Sequence, residues 1–204
     1  MRLTELFQNG KNQMSFEVFP NKKPENLGSV TKKVLQIAEL HPAFMSVTYG
    51  AGGGTSQFTL EIAKSISKQG EVPVLAHLTA VSSTKETVAA RIADLKAAGV
   101  ENIMALRGDL TPEMEGQDRS KWAYRYAVDL IRELKESGDF CIGSGCYPEK
   151  HPECASLAED IRHLKEKVDA GCDFLTSQMF FDNDIFYSFL YKVSSFRLLY
   201  AAEI

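Results

Sequence analysis

Three features that mark other protein classes are scarce in this sequence: excess basic charge, long apolar runs and cysteine. Its 204 residues carry 23 Lys and Arg against 27 Asp and Glu, for a formal net charge of −4. Nucleic-acid binding requires a basic face that neutralises phosphates, so this balance argues against such a partner. No run approaches the roughly 20 apolar residues of a membrane span. Residues 1–5 (MRLTE) lack the apolar core of a signal peptide. These absences predict a soluble protein with no membrane partner.

Cysteine occurs only four times, at irregular spacing. Cys141, Cys146, His151 and Cys154 together could suggest zinc, but their spacing matches no usual ligand pair such as C-x2-C. Cys141 and Cys146 also lie five apart on a predicted strand, where their side chains point to opposite faces. We therefore expect no metal site, and reduced thiols of the kind found in a cytoplasmic protein.

Short apolar runs alternate regularly with segments of helical period along the chain. The runs predict strands at 14–19, 44–49, 73–78, 102–106, 141–146 and 174–180. Between them, apolar residues recur three and four positions apart, as at Leu27, Val30 and Val34. This alternation predicts βαβ units around a parallel sheet.

Polar side chains stand at or just after the ends of these strands. They are Glu17, Thr48, His77, Arg107 with Asp109, Tyr147 with His151, and Gln178. In a closed barrel the strand ends share one mouth, whereas an open sheet would spread these groups along a line. The first βα loop, FPNK at 19–22, also lacks the phosphate fingerprint of an open nucleotide-binding sheet. The sequence therefore predicts a (β/α)8 TIM-barrel type of α/β fold.

The predicted barrel is incomplete. Eight βα units need about 250 residues, and the tail at 194–204 (SSFRLLYAAEI) shows no clear seventh unit. We interpret residues 1–204 as a single TIM-barrel-like catalytic domain that has about six βα units and lacks the last two.

Several motifs leave two interpretations open. The glycine-rich GAGGGTS at 50–56 could hold phosphate through backbone N–H groups or be a flexible βα loop. Glu17, between Phe16 and Val18, could be a general acid with a raised pKa or a buried Glu paired with a Lys or Arg. His77 at a strand end could be structural or catalytic.

The motif Arg107-Gly108-Asp109 places a cation, a point of close backbone approach and a carboxylate together. This combination suits a polar, partly anionic cofactor whose ring nitrogens form hydrogen bonds. The alternative is an Arg–Asp pair in a surface turn, which would contribute little to stability.

Taken together, six segments resemble the methylenetetrahydrofolate reductase family of flavin-dependent folate enzymes. They are SFEVFP (15–20), FMSVTYGAGGGTS (44–56), LAHLTAVSST (75–84), GVENIMALRGD (99–109), CYPEKHPE (146–153) and LKEKVDAGCDFLTSQMFFDN (164–183). The segments occur in family order and cover most of residues 14–193. The resemblance implies a (β/α)8 barrel with FAD at the carboxyl end of its strands and NAD(P)H as co-substrate.

By this resemblance, Glu17 is the catalytic acid that protonates methylenetetrahydrofolate. Asp109 is the carboxylate that lies near the flavin and contacts the pterin, and Gln178 contacts folate and nicotinamide. The implied flavin contacts are Thr48, Tyr49, Ala51, His77, Arg107, Gly108, Asp109, Tyr126, Ala127, Tyr147, His151, Asp160 and Lys167. The Arg107 and Lys167 charges suit the FAD pyrophosphate.

Two other functions remain open at this point. The chain could be a truncated, non-catalytic fragment of the family that binds flavin or associates with other subunits. It could also be a different flavin or folate enzyme on the same barrel. The resemblance fades after Val193, and in the family the last two units add folate contacts. We expect a homo-oligomer, with a partner subunit as a further possibility.

Overall fold

Strands and helices alternate along one parallel sheet in the computed structural model of the chain. The structure describes residues 1–9, 12–20, 24–49, 56–81, 83–110, 112–114, 116–194 and 202–203. Neighbouring strands in the sheet are consecutive in the sequence, and every pair is parallel.

The strands are β1 (Ser15–Val18), β2 (Phe44–Val47), β3 (Val74–Thr79), β4 (Asn102–Leu106), β5 (Cys141–Cys146), β6 (Phe174–Ser177) and the two-residue β7 (Ala202–Glu203). The helices are α1 (Leu3–Phe7), α2 (Leu27–Ala38), α3 (Ser56–Ser65), α4 (Lys85–Ala97), α5 (Ala127–Ser137), α6 (Leu157–Asp169) and α7 (Asn183–Ser194). A π-helical turn at Ile66–Gly70 follows α3, and 3-10 turns lie at Pro24–Asn26, Pro112–Met114 and Arg119–Lys121. Among the described residues, no helix is long and apolar enough to cross a bilayer.

The predicted fold is confirmed: the six main strands curl into an incomplete barrel with alternating helices. The bounds of β4 and β5 agree with the prediction, but β6 ends at Ser177 and not at 180. It ends level with its neighbour: Ser177 pairs with Cys146, the last residue of β5, and the Gln178 N–H donates to the Cys146 carbonyl at 2.7 Å. The tail, to which the sequence assigned no strand, contributes β7, which pairs with Leu175 and Thr176.

The two faces of the strands belong to two different apolar clusters. Val47, Ala76 and Ile103 point outward and pack with the helices in the larger cluster. Phe44, Leu75, Met104, Cys141 and Phe174 point inward and form a second cluster with Leu3 of α1. Cys141 therefore lies inside the barrel and Cys146 in the outer layer, as the period of two predicts.

Helix α1 packs across the end of the barrel where the strands begin, which we call its base. Leu3 is fully buried, and the Phe7 ring packs edge-on against Phe174 with ring centroids 5.3 Å apart. Gly143 on β5 leaves room for Phe174, because a Cβ at this position would lie within 3.0 Å of the Phe174 ring. This packing fills part of the interior at the amino ends of the strands.

The buried Asn102 side chain ties α1 to the sheet. Its Oδ1 accepts from the Leu3 N–H at 2.9 Å, and its Nδ2 donates to the carbonyls of Val74 at 3.0 Å and Met1 at 3.2 Å. Asn102 itself is only 2% exposed. Without this amide, the three backbone groups would be left without these bonds at the base of the barrel.

Asn102→Ala should lower the free energy of unfolding by about 2 to 3 kcal/mol, because it leaves buried polar groups unsatisfied. Chemical denaturation monitored by circular dichroism measures this change. Asn26→Ala is the matched control, because Asn26 precedes α2 without forming a side-chain cap bond, and its cost should stay within about 0.5 kcal/mol. Equal costs for the two variants would contradict the role given to Asn102.

Candidate active site

A cavity of about 380 Å3 lies inside the incomplete barrel, along the inner faces of β1, β2, β3, β4 and β6 and the residues after β6. Its lining residues are Ser15, Glu17, Phe44, Ser46, Leu75, His77, Met104, Thr176, Ser177, Met179 and Phe180. The lining mixes apolar side chains such as Phe44, Leu75 and Phe180 with the carboxyl, hydroxyl and imidazole groups of Glu17, Ser46 and His77. A flat polar ligand of moderate size could therefore pack against the apolar side chains and form hydrogen bonds with the polar ones.

Glu17 and His77 meet on the wall of this cavity. The His77 Nε2 lies 3.5 Å from Glu17 Oε2, and the Ser46 hydroxyl donates to the same oxygen at 3.4 Å. Glu17 is in register with Ser46 on the neighbouring strand. Because Val18 packs in the outer cluster, Glu17 faces the interior, as required for a role in the cavity.

Burial shifts the pKa of these two groups in opposite directions. Desolvation raises the pKa of Glu17, which Ser46 opposes through its hydrogen bond. Desolvation also lowers the pKa of His77 to about 4. His77 is therefore neutral near pH 7, and its contact with Glu17 is not an ion pair. Glu17, with its raised pKa, therefore lies beside an uncharged His77 imidazole.

A second group of predicted residues lies on the loops after β4 and β5. Arg107 follows β4. Burial lowers the pKa of His151, and the positive charges of Arg107 and Lys167 lower it further. The rings of Tyr147 and His151 pack edge to face with centroids 4.7 Å apart. Asp109 is exposed, and its charge acts on Arg107 and Tyr147. The structure thus brings two cations, two rings and a carboxylate together.

Three hydrogen bonds hold the end of β5 and the loop after it in place. The His151 N–H donates to the buried Asp160 carboxylate at 2.8 Å, and Lys167 Nζ donates to the Gly145 carbonyl at 2.8 Å. The Glu153 N–H donates to His151 Nδ1 at 3.1 Å. Because Nδ1 accepts this bond, the proton of a neutral His151 lies on Nε2, where it can be donated to a ligand.

Gly108 turns the chain after β4 with φ of +95°. A Cβ at this position would lie 2.8 Å from a methyl carbon of Val81 and 3.0 Å from Thr79. Only glycine therefore lets the segment with Arg107 and Asp109 lie this closely against the end of β3.

The remaining predicted residues lie apart from these two groups. Tyr49 packs against the outer cluster, with Arg91 5.2 Å above its ring, and Thr48 continues β2 by donating to the Val18 carbonyl at 3.0 Å. Tyr126 caps α5 just before the buried Ala127, is 62% exposed and stacks on His163. Gln178 is exposed just after β6. Ala51 and most of the glycine-rich loop lie outside the described residues.

Sequence reasoning missed two charged residues at the site. Glu153 accepts hydrogen bonds from Arg107 at 2.6 and 2.9 Å and from Arg119 at 2.9 Å. Glu153 is the last residue of CYPEKHPE, so its motif was noticed, but nothing in the spacing indicated an arginine partner. Arg119 belongs to a segment without any motif.

Comparison with known proteins assigns the chain to a family. The family model for methylenetetrahydrofolate reductase matches residues 2–199. The chain belongs to this family. The 5,10-methylenetetrahydrofolate reductase of Escherichia coli is 37% identical over 180 residues, which are 88% of this chain and 59% of that protein. A probable methylenetetrahydrofolate reductase (NADH) of rice is 34% identical over 203 residues, covering 93% of this chain and 34% of that protein.

Methylenetetrahydrofolate reductases in this comparison are longer than the chain. The chain spans a little over half the length of its bacterial relatives and about a third of its plant relatives. The resemblance inferred from the six sequence segments is confirmed for the family.

Solved structures share the fold at low sequence identity. A Clostridium thermocellum protein described as binding two copies of 5-methyl-5,6,7,8-tetrahydrofolic acid aligns with a TM-score of 0.62 at 12% identity, over 95% of this chain and 64% of that one. An oxaloacetate acetylhydrolase aligns with a TM-score of 0.65 at 14% identity, over 95% of this chain and 67% of that one. At these identities the likeness shows the fold alone.

The depressed pKa of His77 makes stability depend on pH. Between pH 4 and 6.5 the unfolded chain binds a proton at this imidazole that the folded chain does not, so stability rises with pH across this window. His77 is 11% exposed, and its pKa of about 4 corresponds to about 3 kcal/mol between pH 4 and pH 7. His77→Asn should remove this contribution, as measured by denaturation at several pH values.

The matched control is His41→Asn, which replaces an exposed imidazole in the turn after α2. It gives the baseline cost of losing an imidazole that the barrel does not bury. If wild type and His77→Asn differ by the same free energy at pH 4 and pH 7, His77 is not held neutral by burial.

Proposed function

We propose that this chain reduces 5,10-methylenetetrahydrofolate to 5-methyltetrahydrofolate with FAD as cofactor and NAD(P)H as electron donor. The observation that carries the proposal is the Glu17 carboxyl with its raised pKa, facing an interior cavity beside a neutral His77. Relatives named for this reaction, in bacteria and plants, support the same assignment.

Residues on the loops after β4 and β5, together with Lys167 of α6, fit FAD. Arg107 and Lys167 supply positive charge for a pyrophosphate, with the pKa of Lys167 lowered by burial, and the His151 Nε2–H can donate to an acceptor. Thr176 Oγ1 on the cavity wall is buried and has no hydrogen-bond partner among the described residues. A ligand in the cavity could satisfy this hydroxyl. When bound, FAD would supply the hydride exchange between nicotinamide and folate.

Glu17 holds the proton that the folate needs. Its side chain is 47% exposed, and partial desolvation raises its pKa, so the carboxyl stays protonated to a higher pH than a fully solvated Glu would. It can then protonate the ring nitrogen of the substrate, which opens the five-membered ring to an iminium cation. His77 is a weak competitor for this proton because its pKa is about 4, and its neutral imidazole does not repel the cation.

Asp109 and Gln178 complete the proposed site. The Asp109 carboxylate is exposed at the mouth, where its charge can stabilise the iminium cation. Gln178 follows β6, next to the cavity residues Ser177 and Met179. Its amide can both donate to and accept from the folate or the nicotinamide. Thr48, Tyr49, Ala51, Tyr126 and Ala127 are the further flavin contacts in this proposal.

A second candidate is a fragment that binds flavin or associates with other subunits without catalysis. The specific observation in its favour is the position of β1 at the edge of the sheet, where β2 is its one strand neighbour among the described residues. The other side of β1 could pair with another chain. A homo-oligomer remains our prediction under either function.

The visible absorbance spectrum of the purified chain, taken beside its intact mass, tests cofactor binding first. We expect a flavin spectrum at close to one FAD per chain, or its appearance on adding FAD. A colourless protein of correct mass that rejects FAD would contradict the proposal. A flavin spectrum without folate turnover would favour the second candidate.

Glu17→Gln should separate the two half-reactions. NADH oxidation through FAD should persist, because it requires no proton on folate. Folate reduction should fall by about 10²- to 10⁴-fold, the usual contribution of a general acid. Stopped-flow absorbance of the flavin follows each half-reaction separately. Glu39→Gln, an exposed carboxyl at the end of α2, is the matched control. Equal loss of both half-reactions in Glu17→Gln would rule out the acid role.

A further inference from the structure

One carboxylate joins two arginines at the mouth of the barrel. Glu153 Oε1 accepts from Arg107 Nη2 at 2.6 Å, and Oε2 accepts from Arg107 Nη1 at 2.9 Å. The same Oε2 accepts from Arg119 Nη1 at 2.9 Å. We call these three residues the Glu153 clamp.

The clamp brings together three separate parts of the chain. Arg107 follows β4, Arg119 lies in the 3-10 turn before α5, and Glu153 lies on the loop after β5. The turn that carries Arg119 is capped by Asp118, whose Oδ1 accepts from the Ser120 N–H at 3.0 Å. The Trp122 ring lies 5.9 Å from the Arg119 guanidinium carbon. Arg119 is therefore oriented from its own loop as well as by Glu153.

The clamp carries more positive than negative charge. The two arginines hold the pKa of Glu153 at about 2, so the carboxylate is ionised and the net charge of the clamp is +1. Arg107 also donates from Nε to the Gly108 carbonyl at 3.2 Å. Among the described residues, Arg107 thus donates through three of its five guanidinium N–H groups. Arg119 donates through one of its five. The remaining donors can bind an anion while Glu153 stays in place.

We propose that Glu153 is a positioning residue that holds Arg107 and Arg119 as one cationic clamp for the pyrophosphate of FAD. This inference rests on the proposed function, which supplies FAD as the ligand. Glu153 also positions His151, because its N–H donates to His151 Nδ1 at 3.1 Å. One loop residue thereby aligns two arginines and the imidazole on one side of the mouth.

If Glu153 instead competed with the pyrophosphate for Arg107, removing Glu153 would have the opposite effect on FAD binding. If Glu153 occupied Arg107 in place of the pyrophosphate, its removal would free the guanidinium and tighten FAD binding. If Glu153 positions the arginines, its removal leaves two like charges that repel each other, and FAD binding weakens.

Titrations of the flavin-free chain with FAD and with riboflavin, followed by flavin fluorescence, test the clamp. Glu153→Gln and Arg119→Ala should each weaken FAD binding by about tenfold, the scale of a charge-assisted hydrogen bond. Riboflavin lacks the pyrophosphate, so its binding should be unchanged. Arg119→Lys should restore part of the FAD affinity because it keeps the charge.

Two variants serve as matched controls. Glu149→Gln removes an exposed carboxylate from the same loop as Glu153, and Lys121→Ala removes an exposed cation from the same turn as Arg119. Both should bind FAD like wild type. Tighter FAD binding in Glu153→Gln, or an equal loss of FAD and riboflavin binding, would overturn the inference.

Inorganic pyrophosphate separates failure of the clamp from failure of the proposed function. It should raise the thermal unfolding temperature of wild type and Lys121→Ala, but not of Arg119→Ala. This pattern in a chain that rejects FAD would support the cationic clamp and overturn FAD as its ligand. A chain that binds FAD with equal affinity in all variants would overturn the clamp alone. Binding of neither ligand would overturn both.

Discussion

The arrangement of the mouth depends on the period of two along parallel strands that helices cover on one face. Because Val18, Val47 and Ala76 are buried against the helices, their sequence neighbours must point into the barrel. Glu17, Ser46 and His77 are such neighbours: Glu17 and Ser46 are register partners, and His77, two residues beyond the partner of Ser46 on β3, lies 3.5 Å from the Glu17 carboxyl. The packing of the outer layer therefore decides which polar groups face the cavity.

The base of the barrel supports this arrangement from below. The inward residues near the amino ends of the strands are apolar and pack on α1, with Asn102 satisfying the backbone groups where the helix meets the sheet. The cavity lies in the part of the interior that this packing leaves open. The same packing removes most of the water from His77 and part of it from Glu17, which is still 47% exposed, and this desolvation lowers the pKa of His77 and raises that of Glu17. Stability and chemistry thus share one physical cause.

Much of the fold follows from local sequence pattern. The bounds of β4 and β5 and the opposite faces of Cys141 and Cys146 agree with the sequence analysis. The end of β6 was not predictable, because Ser177 pairs with Cys146, the last residue of β5, and this register is set by another strand. The site divides in the same way. Residues at strand ends could be found by their position in the sequence. Position alone did not show which way each side chain points: Thr48 and Tyr49 both follow β2, and only the packing shows that Tyr49 lies against the outer cluster.

By itself, the sequence determined the order of elements, the parallel sheet and the family, because periodicity, burial and motifs are local properties. Only the tertiary structure decided which side chains meet. Glu153 lies 46 residues from Arg107 and 34 from Arg119, and the three come together because the carboxyl ends of neighbouring parallel strands project their loops to one side. The neutrality of His77 is likewise a tertiary property, since it arises from desolvation inside the barrel and not from the residues beside it in the chain.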